Sequence, residues 1–205
     1  VDMVKLGADY GYTIDGEELG HLENETFSAD GVTITIKGVS THPGFAKNKM
    51  ESAIKIASEI VAGLPKDKMS PESTENKEPF VHPVGIYGGI EETKLQFIVR
   101  AFDEKTLSVQ EDFLKTLTRS VINNYAHSTF DFEVKEQYRN MKKILDETPA
   151  IVDYALEAIK RAGIEPVPSS IRAGTDRPRL SYMAPPCPPP SPAARSTSPR
   201  TASAS

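Results

Sequence analysis

His42 stands in Ser40-Thr41-His42-Pro43-Gly44, and that setting makes it the first candidate for chemistry. A Pro-Gly turn holds an imidazole away from its own strand, where it can donate to a developing oxyanion; the same turn equally suits a plain surface histidine. Asp15 closes an apolar run in Tyr12-Thr13-Ile14-Asp15-Gly16. Taken alone it reads first as a turn aspartate. A carboxylate at a strand end is also a usual place for a metal ligand, because the scaffold fixes it and the loop leaves it open. Arg100 lies on the polar side of an alternating run, suited to clamping a carboxylate bidentately or to standing as an exposed sheet-face arginine. Arg172 opens Arg172-Ala173-Gly174-Thr175-Asp176. There Gly174 lets backbone approach a ligand, Thr175 and Asp176 add acceptors, and the arginine supplies charge.

Other chemistries are excluded by what the residues do not form. His21, His82 and His127 have no partner at metal-ligand spacing, and no His-x-x-x-His or Cys-x-x-Cys pair occurs. The chain by itself therefore assembles no closed zinc site. There is no Gly-rich phosphate loop and no Gly-x-Ser-x-Gly nucleophile turn.

The elements that must position these residues follow from periodicity. Residues 8–14 read as a short buried strand ending at Asp15-Gly16. Asp30-Gly31 opens a strand in which Val32, Ile34 and Ile36 alternate with Thr33, Thr35 and Lys37, the pattern of a sheet solvated on one face. After His42, Asn48 and Glu51 form a capping-box pattern for a helix with Met50, Ala53, Ile54, Ala57, Ile60 and Val61 on one stripe, stopped by Gly63 and Pro65. A polar loop over 66–79 precedes strands at 82–87 and 94–102, joined as a hairpin through Gly88-Gly89. A second helix, 108–125, starts at Ser-x-x-Glu and carries Phe113, Leu114, Leu117, Val121 and Ile122. The next strand points Phe130, Phe132 and Val134 one way.

Strand, helix, strand, strand, helix, strand is the order of a ferredoxin-like layer, an α+β arrangement with both helices on one face of an antiparallel sheet. The pattern then restarts. Thr148 caps a third helix with Pro149 in its first turn and Ile151, Val152, Ala155, Leu156 and Ile159 inward; Gly163 ends it, and 165–176 reads as strand and loop leading to 180–183. The expected organisation is a layer at 27–137 inserted in a second domain made of 1–26 and 138–183.

Composition narrows the class. The net charge of −5 over 205 residues argues against a nucleic-acid footprint, and no apolar run is long enough to span a bilayer. Cys187 alone excludes an internal disulfide and suits a reducing compartment. The start, VDMVKLGADYGYTIDG, has neither an export pattern nor an initiator Met, so the chain is expected to begin inside a longer protein. Residues 184–205 contain no Leu, Ile, Val, Phe or acidic residue and are expected to be disordered.

GADYGYTIDGEELGHLENETFSADGVTITIKGVSTHPGFAKNKMESAI closely resembles the tripeptide aminopeptidases of the M20 family of dinuclear zinc peptidases, and QFIVRAFD, EQYRNMKKIL and SIRAGTD continue the match in order. The resemblance runs from Val1 to about Pro188. It implies a zinc-binding catalytic domain interrupted by a lid, or dimerisation, domain, in a cytoplasmic homodimer that releases the N-terminal residue of tripeptides. Asp15 is then a ligand to one of two zinc ions. His42 reaches the partner subunit's site and stabilises the tetrahedral intermediate. Arg100 and Arg172 hold the peptide's carboxylate or carbonyl end, while Gly174, Thr175 and Asp176 line the substrate cleft.

There are departures from the family pattern. The family's first metal histidine and aspartate, its general-base glutamate and the adjacent metal glutamate fall before Val1, and its last metal histidine falls after the Pro-Cys-Pro segment. Arg177 and Pro178 replace small residues, and the pattern returns at Leu180, Ser181, Tyr182 and Met183 before the tail loses it. The tail is expected to be an out-of-frame translation of the true C-terminus. The polypeptide as written is expected not to hydrolyse peptides, since one carboxylate cannot hold two zincs. The competing readings are a non-catalytic dimerisation module and a sibling M20 dipeptidase or acyl-amino-acid hydrolase.

Overall fold

The structure is a computed structural model that describes residues 10–12, 18–172 and 193–194. Its elements in chain order are β1 (His21–Thr26), β2 (Ser28–Lys37), a 3-10 turn (Pro43–Phe45), α1 (Ala53–Ala62), β3 (Phe80–Gly88), β4 (Glu92–Ala101), α2 (Glu104–Ile122), β5 (Thr129–Tyr138), α3 (Lys142–Leu145), α4 (Ala150–Arg161), β6 (Val167–Ile171) and β7 (Ala193–Ala194). They fall into two compact units, Ser28–Gln137 and the flanking Val1–Phe27 with Tyr138–Ser205.

In the Ser28–Gln137 unit, alternation decides the sheet. Val32, Ile34 and Ile36 of β2 and Leu95, Phe97 and Val99 of β4 all turn to one face and are essentially buried. That face receives Ala53, Ile56, Ala57 and Ile60 of α1 and Leu107, Leu114 and Ile122 of α2. Each large aliphatic side chain buried in this way contributes about 1.5–3 kcal/mol. The strand order is β3-β4-β2-β5, antiparallel throughout, so the first and third strands of the layer lie in the middle: the ferredoxin-like order. At the β3–β4 hairpin Gly88 has φ +138°, and a Cβ there would collide with the Glu92 carbonyl.

Several boundaries differ from those the sequence suggests. α1 begins at Ala53, not at Asn48, which takes a left-handed φ of 57° in the preceding turn. Glu51 forms no capping box. Its backbone bridges to Val39, and its carboxylate instead reaches the turn between α2 and β5. There it accepts from the backbone N–H groups of Ala126 (3.0 Å), His127 (3.1 Å) and Ser128 (2.7 Å) and from the Ser128 hydroxyl (2.6 Å). With the helix starting later, Ile56 faces the sheet and Ile54 stays exposed. α2 starts four residues before Ser108, because the Asp103 carboxylate caps it by accepting from Thr106 N–H at 2.8 Å. Val134 continues the inward phase of Phe130 and Phe132 but lies beyond the helices and is exposed.

In the flanking unit β1 pairs in parallel with β6 and antiparallel with β7. β1, HLENET, is too polar to announce itself as a strand, yet Leu22 and Thr26 are fully buried. Asn140 fastens its end: Asn140 Oδ1 accepts from Thr26 N–H (3.1 Å) and Lys142 N–H (3.0 Å), and Thr26 Oγ1 accepts from Met141 N–H (3.2 Å). The one-turn helix α3 brings Leu145 beside buried Met141. α4 buries Ile151 and Ala155, with Val152, Leu156 and Ile159 half-buried. Its Thr148 side chain makes no cap; the Thr148 carbonyl accepts from Ile151 N–H instead. At 10–12 there is no strand, and the rest of the 8–14 run lies outside the described residues. The tail falls outside them too, apart from the two residues of β7.

The Glu51 carboxylate is pushed up by partial burial. The Ser128 hydroxyl and the three backbone N–H groups outweigh this and hold it below its ordinary value of 4.5. A depressed carboxylate stabilises the fold above its unfolded pKa and loses that contribution as pH falls through the folded one. Glu51→Ala is expected to lower the unfolding free energy at pH 7 by about 1–2 kcal/mol. Urea titrations should show the gap between wild type and variant closing as pH drops below the ordinary carboxylate range.

Candidate functional site

His42 caps the short 3-10 turn formed by Pro43, Gly44 and Phe45, and its side chain is exposed. Its Nδ1 accepts a hydrogen bond from Gly44 N–H at 3.1 Å, and its ring lies 5.5 Å from the Phe45 ring, centroid to centroid. An accepting Nδ1 carries no proton in the neutral imidazole, so Nε2 is the N–H donor. The turn therefore does two things: it fixes the tautomer and leaves a donor facing outward. Phe45, 72% exposed, gives this projecting tip an apolar flank.

Arg100 sits on the open face of the same unit's sheet, opposite the helices. Its Nη1 donates to the carbonyls of Val99 (2.9 Å) and Asp30 (3.2 Å), and its Nη2 donates to Gln137 Oε1 (2.9 Å). Behind it, the buried Gln110 amide, oriented with nitrogen to Arg100 O (3.2 Å) and oxygen to Phe80 N–H (3.2 Å), closes the end of the β3–β4 ladder. Sequence patterning gives no hint of Gln110; Gln137 falls within the family-matching stretch EQYRNMKKIL, which by itself assigns it no role. The signal available for Gln137 is its strand phase, which puts it on the face opposite Phe130 and Phe132.

The β2–β4 register separates the two candidates. Arg100 pairs with Ala29 at the start of β2, and Glu92 pairs with Lys37 at its end, from which the chain continues to His42. At 3.3 Å per residue, Ala29 and Lys37 are about 26 Å apart. One chain's His42 and Arg100 thus stand at opposite ends of the sheet, beyond the span of a tripeptide.

Arg172, in the flanking unit just after β6, is half-buried, with its guanidinium carbon 5.4 Å from the centroid of the fully buried Phe27 ring. That is a cation–π arrangement, strongest where water is partly excluded. Asp15, Gly174, Thr175 and Asp176 lie outside the described residues. Among the described residues no group of three or more His, Cys, Asp or Glu is placed to hold a metal ion, so these residues do not fit a dinuclear centre.

The antiparallel ferredoxin-like layer is the fold, and comparison with known proteins gives the family. Residues 24–158 match the family model of the M20 peptidase dimerisation domain, and the chain belongs to that family. The particular relatives it resembles are named peptidase T. That of Parabacteroides distasonis is 42% identical over 188 residues, covering 91% of this chain and 46% of the relative. That of Geobacillus kaustophilus is 43% identical over 187 residues, covering 91% and 45%. The chain thus spans about half the length of the curated relatives it matches. Among solved structures, aminopeptidase PepT from Bacillus cereus superposes with a TM-score of 0.71 at 20% identity, over 96% of this chain and 51% of that one. An M20-family protein of Bacillus subtilis, described as a dinuclear metal-binding peptidase, gives 0.57 at 17% identity, over 90% and 44%. These likenesses show the fold.

Long-range ¹H–¹⁵N correlation spectra above neutral pH are expected to show His42 protonated at Nε2 alone. A mixture of tautomers would mean that the Gly44 N–H does not hold the ring.

Proposed function

We propose that this chain is the lid-bearing part of a metallo-aminopeptidase that removes the N-terminal residue of tripeptides and acts as a homodimer. The observation that carries the reading is the placement of His42: exposed, with Nε2–H outward, at the end of the sheet remote from Arg100. A donor so placed suits a reaction centre other than the one its own Arg100 serves, namely the partner subunit's, where it would stabilise the oxyanion. Arg100 and Arg172 hold the carboxylate or carbonyl end of the peptide, and Gly174, Thr175 and Asp176 line the cleft.

The proposal extends to two zinc ions per subunit in the whole enzyme, with Asp15 as this chain's ligand. The described residues supply no site for them and carry no step through them. The chain alone is accordingly expected not to turn over tripeptides when zinc is added. A cytoplasmic location is part of the same reading, supported by the single cysteine; among the described residues no helix is long and apolar enough to cross a membrane.

Edge chemistry supports self-association through β3. The other edge, β5, exposes Asp131, Glu133, Lys135 and Glu136, charges that discourage strand addition. β3 exposes Val84, Ile86 and Tyr87, with Ile90 of the hairpin held against the start of α1 by Ala53 N–H donating to Ile90 O at 2.8 Å, and Ile54 exposed on α1 itself. An apolar edge flanked by an apolar helix row suits a second copy of the same domain.

Two measurements test this. Light scattering should find the chain dimeric and Ile86→Glu monomeric; a monomeric wild type would remove the shared site. In the whole enzyme His42→Ala should lower kcat about 10²–10³-fold with little change in KM. Mixing that variant with Arg100→Ala should recover activity, because one site of the mixed dimer then receives both intact side chains. No recovery would contradict a centre assembled from two subunits.

A further inference from the structure

We propose that the cleft between the end of α1, the loop that follows it and β3 binds one free apolar α-amino acid. The side chain enters the cleft and the two charges stay at its mouth, a function that does not depend on the peptidase reading.

The cleft follows from how its walls are made. α1 ends at Ala62, and Pro65 keeps the helix from continuing. The loop that follows is tacked to β3 where Val81 N–H donates to Met69 O at 2.8 Å. Met69 takes a left-handed φ of 61° there. That strained conformation persists because its carbonyl is bonded and its side chain packs against the core. Beyond it the loop closes on itself: Thr74 Oγ1 donates to Ser70 O at 2.7 Å, and the Ser70 and Ser73 hydroxyls share a 3.0 Å bond. The outer wall is thus held by bonds. Facing it are Val81 and Pro83 of β3 and Phe113 of α2, with Val61 and Leu64 beside the helix end. Between them lies a cavity of about 220 Å³.

Size and charge select the ligand. Drug-sized ligands fill roughly 300–1,000 Å³, and a cavity of about 150 Å³ takes a benzene ring. A volume between the two suits a branched aliphatic or single-ring side chain with little besides. Lys66, Glu72 and His82 line the same cleft. Lys66 and Glu72 are exposed, which puts their charges at the mouth, and His82 Nδ1 stands 4.0 Å from Glu72 Oε1. The Glu72 backbone N–H and the Ser70 hydroxyl hold the Glu72 carboxyl below its ordinary value of 4.5, so it is ionised at neutral pH. A cation and an anion at the mouth of an apolar cleft complement an α-carboxylate and an α-ammonium carried on an apolar side chain. An apolar acid or an apolar amine would satisfy one of the two and set a like charge against the other.

The test uses the full 205-residue chain, isotopically labelled and titrated with leucine, 4-methylpentanoate or isopentylamine. Leucine is expected to shift the methyl resonances of Val61, Leu64, Met69 and Val81 saturably, with a Kd on the order of 1 mM. The acid and the amine should each bind about tenfold more weakly, and Lys66→Met and Glu72→Gln should each weaken leucine binding by a similar factor. Ala62→Leu, which fills the cleft from the exposed end of α1, should abolish it. If Ala62→Leu does not fold, the three titrations of the wild type decide. No shift of these methyls by leucine, or leucine binding unchanged in Ala62→Leu, overturns the site. The acid or the amine binding as tightly as leucine, or either charge variant binding leucine like wild type, overturns the amino acid as its ligand.

Discussion

The ten consecutive pairs between β2 and β4, from Ser28 with Ala101 to Lys37 with Glu92, run without a bulge. Because side chains alternate along a strand, a slip of one residue would carry Val32, Ile34 and Ile36 out of the core and put Thr33 and Thr35 in it. The register is therefore held by the burial of six large side chains on two strands. The two candidate site residues of this unit, Arg100 and His42, lie at or beyond its two ends. At one end Arg100, Gly31 and Gln137 meet on the open face; at the other the chain leaves β2 for the turn that carries His42. The same pairing that makes the sheet stable keeps these two groups apart.

Side chains that look like helix punctuation are used here to join elements. Glu51 sits where a capping-box glutamate would, yet it caps a turn 77 residues away, at Ser128. Tyr125 reinforces that corner by donating to Glu59 Oε1 at 2.6 Å, and this bond, with burial and the neighbouring Glu59 and Glu51 charges, pushes its hydroxyl up to about 12. α1 is thus tied through acidic side chains to the chain segment that follows α2. A carboxylate that finds several N–H donors gains more than one satisfying a single helix terminus. This explains why the helix gives up its first turn.

The two sheet edges show the same economy. β5 carries alternating charges that keep its unpaired backbone solvated. The first part of β3 is covered by its own preceding loop, with Val81 N–H donating to Met69 O at 2.8 Å, and its second part is left apolar and open. A sheet with one guarded and one unguarded edge has a direction in which to add a strand. The proposed dimer uses that open edge.

Sequence periodicity alone determined the layer. Alternation in β2 and β4, the 3.6-residue stripes of α1 and α2, and Gly88-Gly89 gave the element order and hence the fold class, because each signal is local and repeats. The motif around His42 was equally legible, since a Ser-Thr-His-Pro-Gly turn needs nothing distant to form. Helix starts were not legible: Asn48 and Asp103 are both good caps, and only the corner around Ser128 decides that Glu51 is drawn out of the helix. β1 stayed hidden because its polar residues are balanced by pairing with β6, almost 150 positions later in the chain. The tertiary structure alone decided what Gln137 does. An amide has no orientation in a sequence; it acquires one when a guanidinium on another strand donates to its oxygen.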